Sequence, residues 1–197
     1  MIKIFGDPIS GNCLKVKWAC ERLAIPFTWT NIDVTKQETR TAAFLAMNPA
    51  GQVPTVLLDD GRPLAQSNAI LLYLAEGSDL IPPNSYERAK MLEWLFWEQY
   101  SHEPYVAVAR FQMAYLGKSR SELDPKLIER GEAALGRLEE ALSGADFLVG
   151  GRLSLADISL VAYTRMAGDG GFELARYPAV QAWIARVEAA VPIRDPA

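Results

Sequence analysis

The sequence predicts an α/β N-terminal half with a small sheet, followed by an all-α C-terminal half. Strand and helix patterns alternate over the first part of the chain, and only helical periodicity continues from Glu87 onward. Between the two patterns lies Leu80-Ile81-Pro82-Pro83-Asn84, a break that is typical of a linker. We therefore predict an N-terminal domain at residues 1–78, a linker at 79–86 and a helical domain at 87–197.

The N-terminal half is predicted to have the order β-α-β-α-β-β-α. The first β-α-β unit should place its two strands parallel, and the closing hairpin around Asp59-Asp60-Gly61 should add an antiparallel edge. The predicted elements are a strand at MIKIF, a helix ending at Ile25-Pro26, a strand at 27–33, a helix at 39–47, the hairpin, and a helix at 69–74 capped by Ser67. This order is typical of a thioredoxin-like fold.

The C-terminal half is predicted to contain helices at residues 87–117, 125–142, 154–166 and 178–190. Pro104 lies inside the first of these, and we expect a kink near residues 100–104 because proline lacks the backbone donor. Ser154-Leu155-Ala156-Asp157 has the form of a capping box, with Asp157 in the place that Glu or Gln usually takes.

Composition excludes several classes of function. The net charge is −4 and no basic run stands out, which argues against nucleic acid as a partner. No apolar run approaches the roughly 20 residues that cross a bilayer, and MIKIFGDP does not have the form of a signal peptide, so we expect a cytoplasmic protein. A single histidine, His102, and two cysteines argue against a metal site, and His102 is expected at the surface or in an interface.

The stretch Ser10-Gly11-Asn12-Cys13 has the spacing of a Cys-x-x-Cys redox motif, with serine in place of the first cysteine. After a strand, this position lies at a helix N-terminus, where free N–H groups and the helix dipole favour negative charge. A serine there has no thiol of its own but can donate a hydrogen bond to a thiolate. The motif therefore predicts that a ligand brings the thiol. Cys13 and Cys20 should be about 10.5 Å apart along one helix, too far for a disulfide.

Two further stretches predict contacts to a peptide. Gln52-Val53-Pro54-Thr55 opens a strand, and a cis-proline at Pro54 would leave the Val53 backbone available to pair with an extended ligand. Gln66-Ser67 begins a helix, and its amide, hydroxyl and backbone N–H groups form an uncharged carboxylate site. A cysteine-containing peptide with a carboxylate would reach all three stretches.

With SGNC, GQVPT, AQSNAILLYLA and SLADISL in this order, the chain resembles the cytosolic glutathione transferases over nearly its whole length. The resemblance implies a homodimeric enzyme that takes glutathione as co-substrate, with no metal, and conjugates it to a small hydrophobic electrophile. Ser10 matches the serine that activates glutathione, and Asn12 is an alternative in that role. Val53 and Pro54 match the residues that meet the glutathione cysteine, and Gln66 and Ser67 those that hold the γ-glutamyl carboxylate.

The remaining roles follow from position within this resemblance. Gln52 and Lys36 lie where the family binds the glycine end of glutathione. Asp157 matches the aspartate of a structural capping motif. Trp94 and Trp97 are expected to pack in the helical half. Three residues near the expected kink are candidates for the second-substrate pocket: Tyr105, Arg110 and Phe111.

Two alternatives stay open from the sequence. The same glutathione site would serve a disulfide reductase or isomerase, particularly if Asn12 is the main contact to sulfur. Domains of this type also act as non-catalytic interaction modules.

Overall fold

The computed structural model describes residues 1–193, which form two compact units. The first unit is Met1–Ser78 with the described part of the segment from Val191, and the second is Asp79–Ala190. Residues 194–197, which the predicted helical domain includes, lie outside the described residues.

The first unit contains a four-stranded mixed sheet in the order β2-β1-β3-β4. Strand β1 runs parallel to β2, with Ile2 opposite Phe27, whereas β3 runs antiparallel to both β1 and β4. The strands are β1 (Ile2–Gly6), β2 (Phe27–Asn31), β3 (Thr55–Leu57) and β4 (Pro63–Ala65). The predicted thioredoxin-like order is confirmed.

Three helices accompany the sheet: α1 (Gly11–Arg22), α2 (Ala42–Met47) and α3 (Ser67–Leu74). Ile4 on β1, Val56 on β3 and Ile70 on α3 are fully buried in one apolar cluster. Val16 and Cys20 of α1 and Ile2 of β1 also belong to that cluster. Because β1, β3, α1 and α3 share this core, the first turns of α1 and α3 are held near one another.

The second unit is helical. Its α-helices are α4 (Ser85–Trp97), α5 (Glu103–Arg110), α6 (Pro125–Leu142), α7 (Leu155–Thr164) and α8 (Pro178–Ala190). Asn84 caps α4, since its side-chain oxygen accepts the N–H groups of Tyr86 at 3.0 Å and Glu87 at 3.1 Å. Among the helices of residues 1–193, none combines the length and the hydropathy required to cross a bilayer.

The long helix predicted at residues 87–117 is divided into four parts. A π-helical segment, Glu98–His102, separates α4 from α5, and a second one, Phe111–Tyr115, follows α5. Pro104 lies in the first turn of α5, where a missing N–H costs no helical hydrogen bond. The predicted irregularity near 100–104 is present, but it is a change of helical winding ahead of the proline.

The expectation that His102 lies at the surface or in an interface is wrong. The side chain is fully buried, and its Nε2 atom lies 3.0 Å from Oγ1 of Thr164 on α7. Trp94 is buried as predicted, and Trp97 meets it edge to face with 5.2 Å between ring centroids.

Candidate active site

The first turns of α1 and α3 are joined by a side-chain hydrogen bond. The Ser67 hydroxyl donates to Oδ1 of Asn12 over 3.1 Å, linking residues that are 55 positions apart in the sequence. The fold thereby brings together two of the three predicted ligand-contacting stretches, at a place where two helix N-termini favour anionic groups.

Ser10 is the residue that precedes α1. Its carbonyl accepts the N–H groups of Cys13 at 3.0 Å and Leu14 at 2.9 Å, and its side chain makes no capping bond to the first turn of the helix. Burial raises the pKa of the Cys13 thiol to about 12, and a hydrogen bond with the Ser10 side chain offsets this only in part. Cys13 is therefore a neutral core thiol at physiological pH.

The loop before β3 is rigidly held. The side-chain amide of Asn48 donates to the Gln52 carbonyl at 2.8 Å and to the Thr55 hydroxyl at 3.1 Å. The Val53-Pro54 peptide bond is cis, as predicted, and Pro54 is buried while Val53 is half-buried. The Gln52 side chain is exposed on the outside of this loop.

The residue that precedes α3 is Gln66, whereas the sequence predicted Ser67 as the cap. Ser67 is the first residue of α3 and only 5% exposed, so its hydroxyl turns to Asn12 rather than to the helix backbone. Gln66 takes the position before the helix with φ 69° and ψ 110°, a conformation that L-residues rarely adopt. Its side chain is exposed beside the first turn of α3.

Lys36 lies apart from these residues on the loop after β2. Its side chain is 75% exposed, and its ammonium pairs with the Asp33 carboxylate at 3.0 Å. Hydrogen bonds from Thr35 and Lys36 lower the pKa of Asp33 to about 2, so the pair is charged at physiological pH. No hydrogen bond of the described residues joins Lys36 to the first turn of α1 or α3.

Sequence reasoning missed Lys15 and Asn68. Lys15 lies on α1 and is fully buried, and its ammonium donates to Oδ1 of Asn68 on α3 over 3.2 Å. The pattern LKVKW gives no reason to choose one lysine over the other, since buried lysines are rare and are not expected from periodicity.

The second unit has a cavity of about 290 Å³ lined by three aromatic rings, two arginines and three small residues: Trp97, Tyr100, Tyr105, Arg130, Arg137, Ser101, Ala133 and Ala134. Arg130 donates to the Tyr105 hydroxyl at 2.7 Å. Of the three residues predicted for the second-substrate pocket, Tyr105 lines this cavity. Arg110 does not, because its side chain is buried and bonded to Asp169 at 3.1 Å. Phe111 is 40% exposed, and its ring packs against that of Tyr115 with 4.9 Å between the ring centroids.

Metal-ligating side chains do not gather at these places. Within residues 1–193, His, Cys, Asp and Glu side chains form no group of three that could hold a metal ion.

Comparison with known proteins defines the class. Residues 9–76 match the glutathione S-transferase N-terminal domain, and residues 95–190 match the glutathione S-transferase C-terminal domain. The chain belongs to the glutathione S-transferase family, and the prediction of an enzyme of that family is confirmed.

Several relatives cover nearly the whole chain. A glutathione S-transferase structure from Pseudomonas fluorescens is 48% identical, with a TM-score of 0.93 over 95% of this chain and 94% of that chain. Mouse glutathione S-transferase theta-1 is 31% identical over 97% of this chain and 84% of its own length. The Escherichia coli disulfide-bond oxidoreductase YfcG is 29% identical over 95% of this chain and 90% of its own length.

Proposed function

We propose that the chain binds glutathione at the first turns of α1 and α3, holds its sulfur as a thiolate, and conjugates it to a small hydrophobic electrophile. The observation that carries this proposal is the 3.1 Å bond between Ser67 and Asn12, because it joins the motif for sulfur to the motif for carboxylate. Membership of the glutathione S-transferase family supports the same proposal.

Each part of glutathione has a proposed partner. Gln66 and Ser67 meet the γ-glutamyl carboxylate at the start of α3, where backbone N–H groups favour an anion. The Val53 backbone, preceding Pro54, pairs with the cysteine of glutathione in the manner of an added strand. Gln52 and Lys36 meet the glycine carboxylate, and for this Lys36 would have to exchange or share its bond to Asp33.

Ser10 is proposed to donate its hydroxyl hydrogen to the glutathione sulfur, with Asn12 as the alternative donor. To do so, the Ser10 hydroxyl leaves the Cys13 thiol, which is neutral with a pKa of about 12 and therefore does not depend on a hydrogen-bond donor. Lowering a free thiol pKa of about 8.5 to about 6.5 requires roughly 3 kcal/mol. One or two hydrogen bonds to the thiolate and the α1 dipole can supply this.

The chemical step is a nucleophilic substitution or addition at the electrophile. The thiol proton leaves to solvent on binding, the sulfur electron pair forms the S–C bond, and a leaving group departs with its bonding electrons where one is present. For the second substrate, Tyr105, Arg110 and Phe111 remain our candidates. Tyr105 is the best supported of them, because it lines an aromatic cavity.

The test is a calorimetric titration with glutathione in two buffers of different ionisation enthalpy. We expect saturable binding with nearly one proton released at neutral pH. Ser10→Ala should retain binding and lose most of the proton release, whereas Asn12→Ala should do so only if Asn12 is the main donor. Ser143→Ala, an exposed serine after α6, is the control. Absence of binding by the native chain would refute the proposal and favour a non-catalytic interaction module.

A glutathione-dependent disulfide reductase is the second candidate, supported by the similarity to the E. coli disulfide-bond oxidoreductase. Here the thiolate attacks a disulfide, one sulfur leaves as a thiolate, and a second glutathione resolves the mixed disulfide to oxidised glutathione. Rates with hydroxyethyl disulfide and with 1-chloro-2,4-dinitrobenzene, measured on one preparation, distinguish the two reactions. A higher kcat/KM for the disulfide would favour the reductase.

We also propose a homodimer in the cytoplasm. Family membership supports the dimer, and the two free cysteines suit a reducing compartment. Sedimentation equilibrium should give about twice the chain mass of 21.7 kDa, and a mass equal to one chain would rule the dimer out.

A further inference from the structure

One face of α6 carries two arginines with two small residues between them. Arg130 and Arg137 are separated by about two helical turns, or roughly 10.5 Å along the axis, so both project from the same face. Ala133 and Ala134 lie between them on that face, and their small side chains leave room above the helix. This part of α6 is one wall of the cavity of about 290 Å³ in the second unit.

The opposite wall of the cavity is the irregular stretch between α4 and α5. Trp97 ends α4, Tyr100 and Ser101 belong to the π-helical segment Glu98–His102, and Tyr105 lies in the first turn of α5. Single π-helical turns inside helices are frequent at functional sites. A cavity of this volume is near the lower end of the range for small-molecule sites, and its three rings suit a ligand with one aromatic ring.

Arg130 keeps its positive charge beside the cavity. Its Nη1 atom donates to the Tyr105 hydroxyl at 2.7 Å, and a phenol is an uncharged partner. This bond is the main reason that the pKa of Arg130 is raised, and the exposed carboxylate of Glu129 contributes less. A guanidinium has five N–H donors, so most of those on Arg130 remain for a ligand.

Arg137 is held at the other end of the cavity by aromatic rings. Its guanidinium carbon lies 5.1 Å from the ring centroid of Trp94 and 5.7 Å from that of Trp97. An indole has no net charge, so these contacts position the side chain without neutralising it. Among residues 1–193, neither Arg130 nor Arg137 belongs to an ion pair. The cavity therefore combines an aromatic lining with two positive charges that no acidic side chain pairs.

We propose that this cavity receives the second substrate and selects an aromatic electrophile that carries an acidic group, which Arg130 and Arg137 bind. This inference rests on the proposed glutathione function and narrows its substrate class. The aromatic ring of the substrate lies above the two alanines and against Trp97, Tyr100 and Tyr105. Its carboxylate or sulfonate accepts guanidinium N–H donors, an arrangement for which arginine is better suited than lysine.

The experiment compares two electrophiles that share one reacting ring: 4-chloro-3,5-dinitrobenzoate and the uncharged 4-chloro-3,5-dinitrobenzamide. In both, the glutathione thiolate attacks the carbon that bears chlorine, the sulfur electron pair forms the S–C bond, and chloride leaves with the bonding electrons. The ratio of the two kcat/KM values, acid over amide, measures what the negative charge contributes. The intrinsic reactivities cancel when this ratio is compared between protein variants.

Arg130→Gln and Arg137→Gln should each lower this ratio about three- to tenfold, because a charge-assisted contact of an exposed guanidinium is lost. Arg137→Lys keeps the charge and should retain most of the native ratio. Arg176→Gln is the matched control, since Arg176 is an exposed arginine over the Tyr177 ring at 6.0 Å and does not line the cavity. It should leave the ratio at its native value.

A second measurement tests the cavity without glutathione. Calorimetric titrations with 3,5-dinitrobenzoate and 3,5-dinitrobenzamide, which lack chlorine and do not react, should show tighter binding of the acid, and both glutamine variants should reduce that preference. If either the binding ratio or the kcat/KM ratio is unchanged in both variants, the inference is overturned. If the native chain binds no glutathione, the proposed function fails and this substrate assignment fails with it. If it binds glutathione but the ratios do not respond, only the present inference fails.

Discussion

Burial decides the chemistry of both cysteines at the scale of single residues. Cys13 and Cys20 are free thiols on α1, both fully buried, and burial raises the pKa of each to about 12. A thiol reacts as its thiolate, so neither side chain is a nucleophile near neutral pH. Any thiolate chemistry of the enzyme then requires a sulfur from a ligand.

We predict that both cysteines resist alkylation in the folded protein. Iodoacetamide at pH 7.5 should modify the native chain at least about a hundredfold more slowly than a small thiol, because the thiolate fraction is negligible. Mass spectrometry after timed quenching measures this. Unfolding in urea should expose two reactive thiols, and rapid labelling of Cys13 without urea would contradict the pKa argument.

Single residues were predictable where local chemistry marks them. Ser10 and Asn12 stand out because a serine replaces a redox cysteine before a helix, and Ser67 because it begins one. Lys15 could not be found in this way, since its burial depends on α3, more than fifty residues further on. The Ser67–Asn12 bond likewise needs the tertiary fold, although both residues were selected from the sequence.

At the scale of elements, the start of α7 shows how one side chain organises several segments. The Asp157 carboxylate accepts the backbone N–H of Ser154 at 2.9 Å, its hydroxyl at 2.9 Å, and the N–H of Leu148 at 3.0 Å. It also accepts the indole N–H of Trp183 on α8 at 2.9 Å. Burial raises the pKa of Asp157, and these bonds offset that effect only in part. Asp157 is thus a folding residue, as its capping position indicated.

We predict that Asp157→Ala destabilises the protein by about 3 kcal/mol, because several buried donors lose their acceptor at once. Urea unfolding followed by circular dichroism measures the change in free energy of unfolding. Asp146→Ala, an exposed carboxylate in the loop before α7, is the matched control and should change stability by less than about 0.5 kcal/mol. Equal stability of the two variants would show that α7 does not depend on Asp157.

Helix bounds were predictable where capping and punctuation residues are present. Pro125 and Leu142 bound α6 as predicted, and Pro178 and Ala190 bound α8. The region where α4 passes into α5 has no such signal at Glu98, where the helical winding changes. Its π-helical segment, Glu98–His102, keeps Glu98 and His102 buried, and this depends on packing that periodicity does not encode.

At the scale of the whole molecule, the buried thiols make the free energy of unfolding fall as the pH becomes alkaline. Each thiol binds its proton more tightly when folded, with a pKa of about 12 against a usual value of 9.0. Where the folded state holds more protons than the unfolded state, raising the pH lowers the free energy of unfolding. The stabilisation is therefore complete below pH 9 and is lost progressively as the pH rises toward 12.

We predict that the urea midpoint falls between pH 9 and pH 11 and that the decline is smaller in a Cys13→Ala, Cys20→Ala double variant. The double variant is less stable at pH 7 because it leaves small cavities, so the comparison concerns the slope with pH and not the absolute value. Identical slopes in the two proteins would mean that other groups control alkaline unfolding.

The backbone at Gln66 has a consequence for how this chain can change. With φ at 69°, Gln66 holds a conformation that glycine adopts freely and glutamine adopts at a cost of about 1 kcal/mol or more. Gln37, with φ at 59° and ψ at 26°, is a glutamine in the left-handed helical region on the loop before α2, where the strain is milder. Glycine at either position should raise the melting temperature by a few degrees. Only Gln66→Gly should also weaken glutathione binding, as titration of both variants would measure. If Gln66→Gly raises the melting temperature and weakens glutathione binding together, the side chain at position 66 lowers stability and favours the bound ligand.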